Sequence, residues 1–170
     1  KGSKLKVKRI KGDHFTLEKE ILVNLSDFDV VWLRQDPPFD MGYITYTHML
    51  DRLGSNTLVV NDPFWVRNYP EKLLVLNFPD LTPPTVIARD ITALKEFKEK
   101  HKDIIIKPLY GNGGAGVFRL GPDDKNISSL HELFSGINNE PLIAQKFLPD
   151  VSKGDKRVIL VDGEPVGAIN

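Results

Sequence analysis

The chain has 170 residues, 41% of them hydrophobic, with 23 basic side chains against 23 acidic ones, so it is a globular protein with apolar material for one or two small cores. Zero net charge argues against a nucleic-acid footprint, and the one basic cluster, Lys1 to Lys11, reads as a solvated strand or hairpin face. The absence of cysteine removes disulfides, thiolate metal sites and thiol nucleophiles together and fits a cytoplasmic setting, while no apolar run approaches the roughly 18 residues of a membrane span.

Residues 4–10 and 14–23 carry alternating or apolar strand patterns around Lys11-Gly-Asp13, which predicts an opening hairpin. Asp29-Val-Val-Trp-Leu-Arg34 reads as a short buried strand, ended by the prolines of Asp36-Pro-Pro-Phe-Asp40. A helix follows from Gly42 to Leu53, with Tyr43, Ile44, Tyr46, Thr47, Leu50 and Leu53 at spacings of three and four and Gly54 closing the run. Thr57-Leu-Val-Val-Asn61 completes a β-α-β unit, so an α/β layer is expected over residues 1–66 and a second region over 67–170.

After the β-α-β unit come Asp62-Pro63 as a helix N-cap and first residue, then a short helix over Pro70–Phe78 carrying Lys72 in its first turn. After Pro79, Pro83 and Pro84 the pattern predicts a strand over Thr85–Ala88, then an amphipathic helix capped by Asp90 and running to Lys102 with Ile91, Leu94, Phe97 and the stem of Lys98 on one side. A strand over Asp103–Lys107, a glycine loop, a strand to Leu120, a helix over Ile127–Gly136 and a strand over Pro141–Leu148 follow. A last hairpin turns at Asp162-Gly163. The chain begins and ends inside strand-like patterns, so a fragment of a longer protein is expected, with an unpaired sheet edge that would make the isolated chain prone to aggregate.

The run Ile104 to Phe118 carries the chemistry. Lys107 closes an apolar strand, where an unpaired charge is costly, and Gly111, Asn112, Gly113, Gly114 and Gly116 form a loop whose N–H groups can face phosphate oxygens. No Gly-Lys-Ser/Thr closes the loop, and the following Gly116-Val-Phe-Arg-Leu120 is strand-like where Walker A and Rossmann loops need a helix. Strand, glycine loop and strand describe a hairpin lid over a nucleotide; the same residues also read as an ordinary turn. His14, His48, His101 and His131 lack metal-ligand spacing and no nucleophile elbow is present, so neither a zinc site nor a serine hydrolase is expected.

The order of Lys72, Lys107, the glycine loop, Ala144-Gln-Lys-Phe-Leu148 and Asp155-Lys-Arg157 resembles the ATP-grasp ligases, α/β proteins of the α+β type that hold an adenine nucleotide between two lobes. The finer resemblance is to the bacterial glutathione synthetase family. It rests on Leu33-Arg-Gln-Asp-Pro-Pro-Phe-Asp40, Asn68-Tyr-Pro-Glu-Lys-Leu73, Asp80-Leu-Thr-Pro-Pro-Thr85, Ile106-Lys-Pro-Leu-Tyr-Gly-Asn-Gly-Gly114, Ala144-Gln-Lys-Phe-Leu-Pro149 and Gly154-Asp-Lys-Arg-Val158, and it spans Asp27 to Asn170. The resemblance implies an N-terminal substrate domain, lacking its first β-α unit, followed by the ATP-grasp region, with ATP and Mg²⁺ as cofactors and the magnesium ligands beyond Asn170; no metal ligand is expected within the chain. It also implies γ-glutamylcysteine and glycine as small-molecule substrates, no nucleic-acid or membrane partner, and leaves open a homo-oligomer of the full-length protein.

Carried over by position, Lys72 and Lys107 are the nucleotide lysines, Gly111, Asn112, Gly113 and Gly114 the phosphate lid, and Gln145, Lys146, Phe147 and Leu148 the adenine strand. Asp155 is expected to accept from the ribose hydroxyls and Arg157 to stabilise charge on the transferred phosphoryl group as the catalytic residue. Arg34 and Asp36 belong to the substrate-facing motif. Plainer readings stand beside these: Lys72 as a surface lysine, Phe147 as core packing, Arg157 in a cross-strand salt bridge, and Asp36 and Asp40 as turn and helix caps. The resemblance implies ligation of γ-glutamylcysteine and glycine through an acyl phosphate, against two alternatives: another ATP-grasp carboxylate–amine ligase, or, for these residues alone, a nucleotide-binding module without catalysis.

Overall fold

A computed structural model describes residues 1–169. The chain divides into two units, Lys1–Pro70 and Glu71–Asn170, each described by itself.

In the first unit β1 (Leu5–Val7) and β2 (Phe15–Leu17) form the expected antiparallel hairpin, with Leu5 opposite Leu17. Then β3 (Val30–Trp32), α1 (Met41–Leu50) and β4 (Leu58–Val60) make a β-α-β unit in which Val30 to Trp32 pair in parallel with Leu58 to Val60. The helix starts where Asp40 Oδ1 accepts from the Tyr43 N–H at 2.9 Å, an N-cap that satisfies one of the free donors of the first turn. It ends at Leu50, three residues short of the expected Leu53, which lies in the turn beyond.

Two expectations of burial are corrected. Trp32 is 69% exposed and Val30 41%, because side chains alternate across a strand and only the Val31 face of β3 is partly covered. Tyr46 is likewise exposed, at the edge of the α1 face that carries buried Thr47 and half-buried Tyr43, Ile44 and Leu50. A second helix, α2 (Pro63–Asn68), begins with Asp62 Oδ1 accepting from the Phe64 N–H at 2.8 Å and with proline at its first position, where a missing N–H costs nothing.

The second unit starts with the short helix α3 (Glu71–Leu74), continued by a 3-10 turn over Val75–Asn77. Its centre is a four-stranded antiparallel sheet of β5 (Thr85–Ala88), β6 (Ile104–Pro108), β7 (Phe118–Leu120) and β8 (Leu142–Lys146), in the spatial order β5-β8-β6-β7. Helices α4 (Ile91–His101) and α5 (Ile127–Ile137) connect β5 to β6 and β7 to β8. Asp90 caps α4, its Oδ1 accepting from the Thr92 N–H at 3.1 Å, and the three-residue spacing of Ile91, Leu94 and Phe97 turns one apolar stripe to the sheet.

Leu94, Ile104, Ile106, Leu120, Ile127, Leu142 and Ala144 are buried together there, with Leu130 and Phe134 of α5 packed against them. Register fixes what the other face carries. Ile106 lies opposite Ala144 and Ile104 opposite Leu120, so the alternate residues Ile105, Lys107, Arg119, Gln145 and Thr85 fall on the face away from this core. The hairpin β9 (Arg157–Val161) and β10 (Glu164–Ile169) turns at Asp162 and Gly163, with φ of +50° and +82°, the signs that a two-residue type I′ turn requires. Within the described residues β9 and β10 pair only with each other.

Candidate functional site

The site grows from β6. Its apolar alternation sends Ile104 and Ile106 into the core and therefore sends Lys107 to the opposite face, where the side chain is half-buried. Lys107 titrates below its ordinary 10.5, first because burial penalises the ammonium and then because Lys72 repels it, with Glu71 opposing the shift. Two cations drawn together without a buried counter-charge suit an anion. Lys72, at the second position of α3, donates from Nζ to the carbonyl of Gly111, so the first lysine is tied to the glycine loop that follows the second.

Strand, loop and strand form a hairpin: Ile104, Ile105 and Ile106 pair with Leu120, Arg119 and Phe118, and the loop lies between. Gly113, Gly114 and Gly116 take φ of +59°, +78° and +72°. At Gly113 and Gly114 the space around an added Cβ is open, whereas at Gly116 it would lie 3.0 Å from the Pro108 ring and 3.3 Å from Phe134, so Gly116 fixes where the loop rejoins the sheet. Inside the loop the Ala115 N–H donates to the Asn112 carbonyl at 3.0 Å and Val117 to Gly114 at 3.4 Å. The N–H groups of Asn112, Gly113 and Gly114 donate to nothing among the described residues and lie on the exposed side of the hairpin. Successive unpaired N–H groups of this kind make a concavity that accepts phosphate oxygens.

The adenine-strand residues divide. Gln145 is engaged in the sheet: its side-chain amide donates to Thr85 Oγ1 at 2.9 Å, and Thr85 Oγ1 donates in turn to the Pro83 carbonyl at 2.7 Å. The Lys146 N–H donates to Pro84 at 3.0 Å and the Phe147 N–H to Asp103 at 2.9 Å. In an antiparallel ladder the residue that accepts from Lys146 would return its own N–H to the Lys146 carbonyl, but Pro84 has none to give. Two residues on, Leu148 is extended, with φ of −105° and ψ of 108°, and its N–H makes no hydrogen bond among the described residues. Residues two apart on a strand point their polar groups to the same edge. A free acceptor and a free donor therefore stand side by side where β8 runs past the end of β5.

Phe147 is not core packing. Its half-buried ring lies outside the apolar cluster, with the Arg119 guanidinium carbon 3.8 Å from the ring centroid. Arg119 also grips Asp103, Nε to Oδ1 at 3.0 Å and Nη2 to Oδ2 at 2.7 Å; this pairing holds the Asp103 carboxyl below the usual carboxylate range. Sequence reasoning singled out neither Arg119 nor Pro84. The signals existed: alternation from buried Leu120 puts Arg119 on the Lys107 face, and a proline opposite a strand end leaves one carbonyl without a partner.

Asp155 and Arg157 are exposed, the second opposite Ile169 on the β9–β10 hairpin, and no ion pair engages Arg157 among the described residues. Arg34 and Asp36 lie in the first unit, exposed in the irregular segment after β3. No helix is long and apolar enough to cross a membrane among the described residues.

Comparison with known proteins adds identity to this geometry. The family described as "Prokaryotic glutathione synthetase, ATP-grasp domain" matches residues 71–170, and "Prokaryotic glutathione synthetase, N-terminal domain" matches residues 1–67. A glutathione synthetase of Agrobacterium fabrum is 60% identical over 166 residues, covering 98% of this chain and 52% of the relative. One of Brucella melitensis is 57% identical over 167 residues, covering 98% and 54%. The chain thus spans about half the length of the curated relatives it matches. Among solved structures, D-cycloserine synthetase DcsG superposes with a TM-score of 0.68 at 18% identity, over 88% of this chain and 54% of that one. A RimK domain ATP-grasp protein from Sphaerobacter thermophilus gives 0.64 at 17% identity, over 84% and 54%. At those identities the likeness shows the ATP-grasp fold alone.

Proposed function

The chain belongs to the prokaryotic glutathione synthetase family, and from that premise we propose that the protein containing it is an ATP-dependent carbon–nitrogen ligase that joins γ-glutamylcysteine to glycine, releasing ADP and phosphate. The observation that carries the nucleotide half of this reading is the half-buried Lys107, on the sheet face away from the core, with Lys72 and the unpaired loop N–H groups beside it. The acceptor half rests on glutathione synthetases at 60% and 57% identity.

Lys107 and Lys72 neutralise phosphate charge, and the N–H groups of Asn112, Gly113 and Gly114 donate to the phosphate oxygens. Binding a polyanion reverses the unfavourable setting of Lys107, which favours a nucleotide over water in that position. The Lys146 carbonyl accepts from the exocyclic amine of adenine while the Leu148 N–H donates to its neighbouring ring nitrogen. Asp155 accepts from the ribose hydroxyls, and Arg157 stabilises the transferred phosphoryl oxygens. Arg34 and Asp36 face the dipeptide.

The cysteinyl carboxylate attacks the γ-phosphate to give an acyl phosphate, and the glycine amine then displaces phosphate, a sequence that needs positioning and charge stabilisation but no side-chain nucleophile. Magnesium enters with ATP as part of the substrate. Among the described residues no group of three or more His, Asp or Glu side chains is placed to hold a metal.

Phosphate release by the intact protein tests the reading, with MgATP, γ-glutamylcysteine and glycine each omitted in turn and D-alanine offered as a rival acceptor. Release is expected only when dipeptide and glycine are both present. Release driven by another acceptor would keep the nucleotide site and overturn the assignment of substrate.

A further inference from the structure

The segment that offers the free carbonyl and N–H has an unusual support. Up to Lys146, β8 is held on both sides, by β5 and by β6. Beyond it the β5 side is lost at Pro84, and the backbone of Phe147 keeps one hydrogen bond, to the Asp103 carbonyl at 2.9 Å. Phe147 stands between the acceptor, Lys146, and the donor, Leu148. Any swing of Phe147 changes their spacing, and two-point recognition of a flat base tolerates little of that.

Side chains supply the missing restraint. Asp103, which already binds the Phe147 N–H through its carbonyl, holds Arg119 through both carboxylate oxygens, and Arg119 lays its guanidinium 3.8 Å from the Phe147 ring centroid. The fork fixes the plane of the guanidinium, so the cation does not slide across the ring. As an exposed ion pair this arrangement adds little to stability, which leaves orientation of Phe147 as its use.

We propose that Arg119 is a positioning residue for base recognition: clamped by Asp103 and stacked on Phe147, it sets the spacing of the Lys146 carbonyl and the Leu148 N–H that read adenine. This rests on the nucleotide reading above. Lysine at position 119 would keep the charge but lose the fork and the flat stack. The readout is the preference for ATP over GTP, since the two share every phosphate and ribose contact and present opposite donor and acceptor patterns at the base edge.

Affinities for ATP and GTP are to be measured by competition titration on the intact protein and on its Arg119→Ala, Arg119→Lys and Phe147→Leu variants, with a thermal melt for each. All three are expected to lose about three- to tenfold in ATP affinity, the range of a lost cation–π stack, with GTP affinity unchanged. Arg119→Lys decides the matter if Arg119→Ala does not fold. Equal losses for ATP and GTP would overturn the proposal, because they would place Arg119 on the phosphates or in general stability; unchanged ATP affinity would overturn it as well. An intact wild-type protein that binds neither nucleotide would sink the nucleotide reading itself.

Discussion

The two faces of the four-stranded sheet are built from alternate residues of the same strands and do opposite things. One face buries Ile104, Ile106, Leu120 and Ala144 beneath α4 and α5. The other carries Ile105, Lys107, Arg119 and Gln145, none of them fully buried. Because the side-chain period of a strand is two, adjacent positions such as Ile106 and Lys107 answer to different demands, and substitutions one residue apart should separate stability from binding.

The comparison is broken most severely from the core side. Leu94→Ala, at a fully buried position, is expected to cost about 2–5 kcal/mol through lost burial and the cavity left behind, read by chemical denaturation. On the opposite face Lys107→Met should leave the melting temperature unchanged or raised, since it removes a half-buried charge, while lowering ATP affinity about 10- to 100-fold. Parallel losses of stability and affinity in Lys107→Met would mean that the faces are not separable.

Gly116→Ala joins the two faces, because its φ of +72° and the 3.0 Å approach to Pro108 bind loop conformation to packing. It should cost about 1–2 kcal/mol from the left-handed backbone and more from the contact with Pro108. Gly113→Ala shares the positive φ but meets open space, and should therefore cost less in a matched denaturation series. Thr85→Val removes the hydroxyl that Gln145 donates to and should cost about 1 kcal/mol, with ATP affinity unchanged if Gln145 serves the sheet alone.

The smallest effect is on pH. Lys107 titrates below 10.5 when folded, so between that lowered value and the unfolded one the unfolded chain binds the extra proton. Stability should therefore rise with pH across that window while nucleotide affinity falls as the ammonium is lost. Melts with and without ATP from pH 8 upward check both signs; stability that falls there and recovers in Lys107→Met would reverse the argument.

Much of the fold was legible because its signals are local. Asp40, Asp62 and Asp90 each cap the helix that their spacing predicts, the Asp162-Gly163 turn joins the last two strands, and β6 and β7 flank the glycine loop as their composition requires. The adenine strand was legible as a segment but not atom by atom. The bond from Gln145 to Thr85, the Lys146 carbonyl left free opposite Pro84, and the clamp of Arg119 on Asp103 and Phe147 all join residues far apart in the chain. The exposure of Val30 and Trp32 was misread for the same reason, since an apolar run shows that a strand exists but not which of its faces is covered.

By itself the sequence determined the order of elements, the capped helices, the lysine that closes an apolar strand before a glycine loop, and the family. Those rest on spacing along the chain and on backbone chemistry carried by single residues. Only the tertiary structure decided which face Lys107 occupies, which backbone groups at the end of β8 remain free, and what holds Phe147. Each of these depends on the register between strands from distant parts of the chain, and register is set by the packing of the whole sheet.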